Sequence, residues 1–211
     1  MTKGGAEAER KNAFSRASAR SPLERHAAFF DPDADGFVTP KQTYAGLKRL
    51  GIPAPLALVM TGIINFFLGK LTQGKWSLAI ATREIHRGVH PYDTGAFDRT
   101  GAIDRRAFEH VFDGPHALPP RDRLTEAELR RLIVTRNDPE KPFGAVGSVL
   151  SRIFSWSETR LLFCLATDAR KRTGGDEEPA ITRRTLVRFY EGRLFYLLER
   201  RRRVVAHRGE D

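Results

Sequence analysis

A twelve-residue stretch near the N-terminal end constrains this fold more than any other feature of the chain. It runs Asp31-Pro-Asp33-Ala-Asp35-Gly36-Phe-Val-Thr-Pro-Lys-Gln42, so three carboxylates stand at alternate positions and a glycine follows the third. Carboxylates at this spacing converge on one hard cation, and the glycine permits the sharp turn that the loop requires. The pattern predicts an EF-hand loop for calcium, and such a loop requires a helix on each side.

The other oxygen ligands of this loop follow from their positions. The Phe37 carbonyl and Thr39, directly or through water, are expected to bind the ion, and Gln42 occupies the last position, where a bidentate Glu is usual. Gln42 removes one carboxylate and one unit of negative charge from the site. We therefore expect calcium binding weaker than in a loop that ends in Glu. The alternative is a vestigial loop that folds as a turn without metal.

Helix signals flank the loop on both sides. Before it, Ser21 and Glu24 form a capping-box pattern with Pro22 at the first helical position, which predicts a helix that ends at Phe30. After it, helical character resumes and continues to Gly51, which is placed as a C-terminal stop. These signals predict one helix–loop–helix unit.

EF-hand loops usually pair, and two other segments could supply the partner strand. One is 96–107, around Gly101, and the other is 174–185, around Ile181. The first has alanine at both its first and its last position, so it carries too few oxygens for a metal. We expect it to have a structural role, with Ile103 pairing with Val38 in a short strand.

The most apolar stretch of the chain comes directly after this unit. Residues 51–69 contain no charge, and 12 of these 19 residues are Ile, Leu, Val, Met, Phe or Ala. Pro53 and Pro55 delay the helix start, which leaves about 15 helical residues, or about 22 Å, against a hydrocarbon core of about 30 Å. A simple transmembrane span is therefore not expected. A buried core helix and an in-plane or hairpin segment in a lipid surface are both open, and the lysines and tryptophan within 70–76 are typical of an interfacial flank.

Three further segments complete the predicted helices. Thr125 and Glu128 form a second capping-box pattern at a helix start. Residues 142–167 are apolar with few charges and are expected to pack against the 55–69 helix. A basic amphipathic helix is predicted over about residues 182–205.

Together these signals predict a mainly α fold, with EF-hand-type helix–loop–helix units around an apolar helical core and minor short β pairing between loops. Residues 1–20 carry five basic and two acidic residues and are predicted to be a disordered basic tail. A single domain is predicted over residues 21–205, with a short tail at 206–211. The domain divides into an EF-hand (21–50), an apolar lipid-facing or core segment (51–82) and a helical remainder (83–205).

Cysteine and charge content narrow the class of protein. Cys164 is the one cysteine among 211 residues, which excludes disulfide scaffolds, thiolate zinc fingers and Cys-ligated iron–sulfur clusters. The formal net charge of +10, from 36 Lys and Arg against 26 Asp and Glu, indicates an anionic partner. No secretory signal pattern occurs in residues 1–20, so the chain is expected to stay in the cytoplasm.

The distribution of the basic residues favours lipid over nucleic acid. Residues 170–208 hold twelve basic and five acidic residues, so most of the excess charge lies at this end. No helix-turn-helix or aromatic-studded motif accompanies the arginine run at 200–203, so no nucleic-acid partner is expected. An anionic lipid surface or a fatty acid is the better candidate.

Histidines and several sequence blocks carry a family resemblance. His26 lies just ahead of the loop, and His86 and His90 are four residues apart without the HExxH pattern of a zinc hydrolase. The run from His26 to Leu47, the block Ile-His-Arg-Gly-Val-His that ends at His90, and the later Tyr190-Glu-Gly-Arg-Leu-Phe resemble the caleosin family. The resemblance covers nearly the whole predicted domain.

The resemblance implies a calcium-binding haem peroxygenase associated with lipid droplets. His26 and His90 match the family's two haem-associated histidines, as catalytic and haem-binding residues, and which of them binds the iron is open. The implied cofactors are haem b and calcium. The implied reaction transfers an oxygen atom from a fatty acid hydroperoxide, or another peroxide, to an unsaturated lipid, by epoxidation or hydroxylation.

The implied location is a lipid droplet or the cytoplasmic face of a membrane. Haem and an acyl chain both need a largely apolar cavity, and the apolar segments 55–69 and 142–167 are expected to wall it. The alternative function is that of a non-catalytic calcium-binding protein of lipid-droplet or membrane surfaces.

Overall fold

Helices dominate the structure, a computed structural model that describes residues 20–88, 94–114, 121–135, 156, 159–163, 165–166 and 179–208. In chain order the α-helices are α1 (Pro22–Ala27), α2 (Pro40–Arg49), α3 (Ala54–Gln73), α4 (Arg105–Asp113), α5 (Glu126–Thr135), α6 (Arg183–Tyr190) and α7 (Leu194–Arg208). Short 3₁₀ helices cover Ala28–Phe30 and Thr82–Gly88, and residues 159–163 and 165–166 are also helical. The mainly α fold class is confirmed. The division into domain and tails stays a prediction, and residues 1–19 lie outside the described part.

Short antiparallel strand pairs connect the helices, as predicted, but one predicted pairing is wrong. The strands are β1 (Phe37–Val38), paired with β2 (Ile80–Ala81), and β3 (Arg123–Thr125), paired with β4 (Ala180–Thr182). Val38 faces Ile80, not Ile103. Ile181, the second candidate partner, faces Leu124 instead. The strand that pairs with the predicted calcium loop therefore comes from the segment that follows α3.

The loop around Gly101 folds onto itself, which explains the wrong pairing. The Asp98 carboxylate accepts hydrogen bonds from the Thr100 hydroxyl at 2.6 Å and from the Ala102 amide at 3.0 Å. These bonds, those from Thr100 above all, hold the pKa of Asp98 below its ordinary value. A bridge between Phe97 and Ile103 closes the turn, so Ile103 pairs within its own segment.

A threonine caps the helix that follows each of three strands. Thr39, Thr125 and Thr182 each stand at the end of a strand or directly after it, and each hydroxyl accepts a hydrogen bond from the backbone amide three residues later. The predicted capping boxes at Ser21 and Thr125 are both present. Local sequence signals therefore set where these helices begin.

The apolar helix α3 is longer than predicted. It spans 20 residues, which is about 30 Å, so the expected 15-residue helix is wrong. Pro55 lies in the first turn, where the missing amide of proline costs no helical hydrogen bond. The helix passes Gly69 and ends at Gln73, and Gly74, whose φ is 67°, caps it. By length and composition alone this helix could cross a membrane; an 18-residue window in it has a mean hydropathy of 1.6 and is 28% buried.

The two faces of α3 reverse the usual pattern of a helix on a water-soluble protein. The buried face is largely polar or small and consists of Ala57, Met60, Thr61, Asn65, Gly69 and Thr72. The rest of the helix surface carries exposed large apolar side chains, and further exposed apolar side chains follow in the next loop. We call this surface the outer apolar face; its residues are Leu56, Leu58, Val59, Phe66, Trp76 and Leu78. One side of α3 thus packs in the core, and the rest of its surface is exposed.

Asn65 fixes α3 to the first strand pair. Its side chain is 1% exposed, and its amide nitrogen donates to the Val38 carbonyl at 3.2 Å and to the Leu78 carbonyl at 2.7 Å. Because Val38 belongs to β1 and Leu78 precedes β2, one side chain ties both loops to the helix. Gly69 permits the close approach, since a Cβ there would lie 2.1 Å from the Ser77 carbonyl oxygen.

The basic C-terminal segment forms two helices, so the expectation of a single helix over 182–205 is wrong. The chain turns between α6 and α7 at Gly192, whose φ is 73°. A Cβ on Gly192 would lie 2.6 Å from the backbone nitrogen of His26. Glycine alone fits both the conformation and this contact, so α6 packs directly against α1. Helix α7 then continues to Arg208, beyond the predicted end.

Buried apolar clusters join the elements into one core. In one cluster, Ala57 and Met60 of α3 lie with Leu47 of α2, Leu165 and Phe195. Leu165, in the 142–167 segment, thus shares a core cluster with α3 residues, in agreement with the predicted packing. Residues 142–155, 157, 158, 164 and 167 of that segment lie outside the described residues.

Replacing Asn65 should test how strongly this single side chain holds the fold. Asn65→Ala removes two buried hydrogen bonds and leaves two carbonyls without that donor, so the free energy of unfolding should fall by about 2–4 kcal/mol in urea denaturation. Leu58→Ala on the same helix is the control. Leu58 is 66% exposed, so its loss should change stability by less than about 0.5 kcal/mol. Equal effects of the two variants would contradict the role of Asn65.

Candidate functional site

Three aspartates lie close together in the loop between α1 and β1. Asp31, Asp33 and Asp35 each offer a carboxylate oxygen, and these oxygens lie within 4.8 Å of one another. Asp31 is 5% exposed, whereas Asp33 and Asp35 are on the surface. This cluster could hold a metal ion, at the position that the sequence predicts. We call it the acidic loop.

The local backbone explains how the acidic loop brings its carboxylates together. The Gly36 amide donates to Asp31 Oδ2 at 3.2 Å, and the Phe37 amide donates to Asp35 Oδ1 at 2.7 Å. The φ of Gly36 is 91°, with open space around the position of a Cβ, so backbone conformation and not crowding requires glycine here. The turn directs the oxygens of residues 31–35 toward each other.

The electrostatics of the acidic loop favour a bound cation. Burial is the main cause that raises the pKa of Asp31, and the neighbouring Asp33 and Asp35 raise it further, against the lowering effect of the Gly36 amide. Asp31 Oδ1 is buried and has no hydrogen-bond partner. An acid whose pKa is raised by folding destabilises the folded state at pH values above that pKa. A cation in the loop would relieve this cost.

Gln42 closes the acidic loop from the far side. Its Nε2 donates to both carboxylate oxygens of Asp33, at 2.9 and 3.0 Å. Its Oε1 accepts from the amide and the hydroxyl of Thr39, at 2.7 and 2.8 Å. Two of the predicted ligands, Thr39 and Gln42, therefore bond to each other, and the Gln42 amide supplies donors to a carboxylate that would otherwise bind the ion.

A mostly apolar cavity of about 230 Å³ is lined by the helices on either side of the acidic loop and by the C-terminal helices. Both helices that flank the acidic loop contribute to its wall, as do α3, the first strand pair and α6. Apolar side chains make up most of the described lining. The polar side chains among those described are His26, Thr43, Thr94, Thr159 and Tyr190. The hydroxyls of Thr94 and Tyr190 are hydrogen-bonded to each other.

His26 is held in the cavity wall by aromatic rings and a backbone carbonyl. Its ring lies 4.7 Å from the Phe189 ring and 4.5 Å from the Phe195 ring, measured between centroids. Its Nδ1 lies 3.4 Å from the Phe189 carbonyl oxygen. Since a carbonyl only accepts, Nδ1 carries the proton in this bond, and Nε2 is then the nitrogen with the lone pair that a metal requires.

The structure places some of the predicted histidines at the cavity and not others. His26 lines it, and His86 is absent from its described lining; His86 Nε2 lies 3.9 Å from a carboxylate oxygen of Glu84. His90 lies outside the described residues, so its predicted role stays a prediction. Gly88 and Thr94, on either side of residues 89–93, both line the cavity.

Several residues that complete the cavity wall were not predicted from the sequence. Phe189, Tyr190 and Phe195 come from the basic C-terminal segment, and Thr43 comes from α2. The aromatic residues in this otherwise basic segment were a signal for the cavity wall, because large aromatic side chains are usually buried. No signal along the chain indicated that this surface would be the one around His26.

The fold and site define a helical protein with an acidic loop that could hold a metal ion, beside an apolar cavity whose wall contains a histidine. A Caleosin family model, described as Caleosin related protein, matches residues 18–199. The chain is 31% identical over 185 residues to Probable peroxygenase 4 of Arabidopsis thaliana, covering 85% of this chain and 86% of that protein. It is 30% identical over 186 residues to Peroxygenase of Lilium longiflorum, with coverage of 86% and 71%. No solved structure matches. This chain belongs to the caleosin family.

Restoring the carboxylate at the last position of the acidic loop should strengthen calcium binding. Gln42→Glu replaces the amide that donates to Asp33 with a bidentate anionic ligand, so we expect calcium affinity to rise by at least about tenfold in isothermal titration. Lys41→Glu is the control, because the same side chain at the neighbouring exposed position lies outside the ligand positions. An equal gain from both variants would mean that net charge alone sets the affinity.

Proposed function

We propose that this protein is a haem-dependent peroxygenase. It uses fatty acid hydroperoxides, or other peroxides, to epoxidise or hydroxylate unsaturated lipids, and its acidic loop binds one calcium ion. The single observation that carries the proposal is His26, an imidazole in the wall of a largely apolar cavity. The two relatives named as peroxygenases support the reaction class.

The cavity wall fits what a bound haem requires of a protein ligand. A histidine that binds a metal usually donates its other ring N–H to a carbonyl or carboxylate, which fixes the ring and its tautomer. His26 has this arrangement with the Phe189 carbonyl. Phe189 and Phe195 pack against the same imidazole, so its orientation is fixed before any ligand binds. We assign His26 as a haem ligand on this basis.

We assign His90 as the second histidine of the site. Gly88 and Thr94 line the cavity, and His90 belongs to the short segment between them in the sequence. A histidine there would hold or move a proton at the hydroperoxide oxygen during cleavage of the O–O bond. The aliphatic wall would hold the acyl chain and exclude water.

The bound haem supplies the oxidation chemistry of this reaction. In the overall balance, one peroxide oxygen moves to the acceptor, so the hydroperoxide leaves as an alcohol and the acceptor leaves as an epoxide or an alcohol. The protein contributes the imidazole, the proton-handling histidine and the dry apolar wall. Calcium would act on the same wall, because Val38 of β1 and both helices that flank the acidic loop line the cavity.

We further propose that the outer apolar face lies on a lipid droplet or on the cytoplasmic surface of a membrane. Leu58, Val59 and Trp76 are 66%, 58% and 70% exposed, which is unusual for several large apolar side chains on one helix and the loop after it. The Lys70 ammonium stacks on the Trp76 ring at 4.3 Å, a pairing suited to a lipid–water interface. Because the inner face of α3 is bonded to the protein through Asn65, an in-plane orientation is favoured over a span.

The basic helix α7 lies next to the start of the outer apolar face. A Cβ on Gly51, just ahead of α3, would overlap the Arg202 guanidinium, and the neighbouring arginines at 200, 201 and 203 are exposed. Exposed arginines beside an apolar face add electrostatic attraction to anionic headgroups. This arrangement favours a phospholipid-coated surface.

Removing the His26 imidazole should remove haem. We expect His26→Ala to lose the Soret absorbance of the purified protein by at least about tenfold, and with it the turnover of linoleic acid hydroperoxide. His86→Ala is the matched control, since His86 does not contribute to the described cavity lining, and it should keep both. A wild-type protein that is colourless and takes up no added haem would overturn the proposed function.

Charging the outer apolar face should release the protein from lipid. We expect Leu58→Glu with Val59→Glu to reduce flotation with phospholipid-coated triacylglycerol droplets by at least about tenfold, because two exposed aliphatic contacts become anionic. Arg105→Glu with Arg106→Glu is the control, since it removes more positive charge from exposed positions on α4. If the control pair reduces flotation equally, overall charge and not this face would account for binding.

A further inference from the structure

The segment 73–84, at the end of α3 and after it, matches the acidic loop position by position. Val38 is the eighth residue of the twelve-residue pattern that begins at the first aspartate, and it faces Ile80 across the strand pair. Numbering the partner segment from this facing pair gives Ile80 position 8 as well. The matching twelve residues then run from Gln73 to Glu84.

The helices around the two segments agree with this numbering. The 3₁₀ helix before the acidic loop ends at Phe30, just before position 1, and α3 ends at Gln73, which is position 1. Position 10 begins a helix in both segments, α2 at Pro40 and the 3₁₀ helix Thr82–Gly88. The packing is reciprocal, since α2 packs on α3 and α1 packs on the Thr82–Gly88 helix. The first helix of each unit thus contacts the second helix of the other, and the two units form a pair of helix–loop–helix motifs.

An amide nitrogen binds the oxygens that a cation would bind in this second loop. Positions 1, 5 and 7 of an EF-hand loop all supply ligands, the last through its backbone carbonyl. Gln73 is position 1, and its Nε2 donates to Ser77 Oγ, at position 5, over 2.8 Å and to the Ala79 carbonyl, at position 7, over 2.5 Å. Because a carbonyl only accepts, the nitrogen end of the amide must face these oxygens.

The other ligand positions of the second loop do not suit a cation. Position 3 is Lys75, which is itself cationic, and the Glu84 carboxylate at position 12 bonds to the Arg87 guanidinium at 2.9 Å. Position 6 is Leu78, whereas the acidic loop has Gly36 there, with a φ of 91°. An amide and not an ion therefore closes this loop.

The closed loop is bonded to the acidic loop beside its carbonyl ligand. The Thr82 amide donates to the Gly36 carbonyl at 2.9 Å, and the Thr82 hydroxyl lies 3.2 Å from the same oxygen. Phe37, whose carbonyl is an expected calcium ligand, follows directly in β1 and is paired with β2. The Ala79 carbonyl that Gln73 holds directly precedes β2. The position of β2, and with it that of β1, therefore depends on this amide.

We propose that Gln73 takes the place of the second cation of an EF-hand pair, and that the loop it closes holds the acidic loop in its calcium-binding conformation. Ligand groups that are already ordered bind more tightly, because less conformational freedom is lost on binding. Gln73 is thus a positioning residue that acts on the ion through β2 and the Phe37 carbonyl. The inference rests on the proposed function for the binding of calcium by the acidic loop.

The test is isothermal titration of the full chain with calcium. Gln73→Met keeps the length of the side chain and removes the donor, so we expect calcium affinity to fall about three- to tenfold. Gln73→Lys restores a donor of similar reach and should stay within about twofold of the wild-type affinity, although its charge opposes calcium. The rise in melting temperature on adding calcium should be smaller for Gln73→Met than for the other two proteins.

The control variant is Thr61→Val, which removes the hydroxyl that donates to the Ala57 carbonyl in α3 and belongs to neither loop. It should leave calcium affinity unchanged. An equal loss in this control would overturn the inference, as would wild-type affinity in Gln73→Met, a loss in Gln73→Lys as large as in Gln73→Met, or a wild-type protein that binds no calcium.

The titration also separates this inference from the proposed enzyme. A loss of calcium affinity in Gln73→Met, in a protein that does not turn over linoleic acid hydroperoxide, would uphold the role of Gln73 and defeat the proposed peroxygenase. Turnover in a protein whose calcium affinity does not depend on Gln73 would do the reverse.

Discussion

The bonds from Asn65 to the carbonyls of Val38 and Leu78 determine the arrangement of the N-terminal half. A buried amide must bond to polar partners, and these partners lie in the two paired loops, so the polar face of α3 has to turn inward. Large apolar side chains on the rest of the helix surface, among them Val59 and Phe66, are then exposed. The exposed apolar surface is thus a consequence of what the inner face must satisfy.

The acidic loop and the cavity share the same structural parts. The helix before the loop carries His26, the helix after it carries Thr43, and β1 between them contributes Val38 to the cavity wall. Asp31, the first residue of the acidic loop, is buried; its pKa is raised, and its Oδ1 has no hydrogen-bond partner. Any ion that changes the balance of charge in the loop therefore acts on elements that already border the apolar compartment.

The C-terminal helices complete the site from the other side. Gly192 allows the chain to turn against the backbone of His26, and this contact brings Phe189 and Phe195 onto the imidazole. Residues separated by more than 160 positions along the chain form one wall, and the Phe189 carbonyl selects the tautomer of His26. The burial of aromatic rings at this junction supplies much of the apolar surface that holds the two halves together.

Local signals in the sequence determined the acidic loop, the capped helix starts and the resemblance of the histidine-containing blocks, because each depends on residues a few positions apart. The failed predictions depend on which segments meet and on where turns close. Val38 pairs with Ile80, while the segment of Ile103 closes on itself, and α3 continues through Gly69, which packs against the next loop. The sequence by itself therefore determined which carboxylates could hold a metal ion. Only the tertiary structure decided which face of α3 is exposed and which aromatic rings surround His26, since both follow from contacts between segments that periodicity cannot pair.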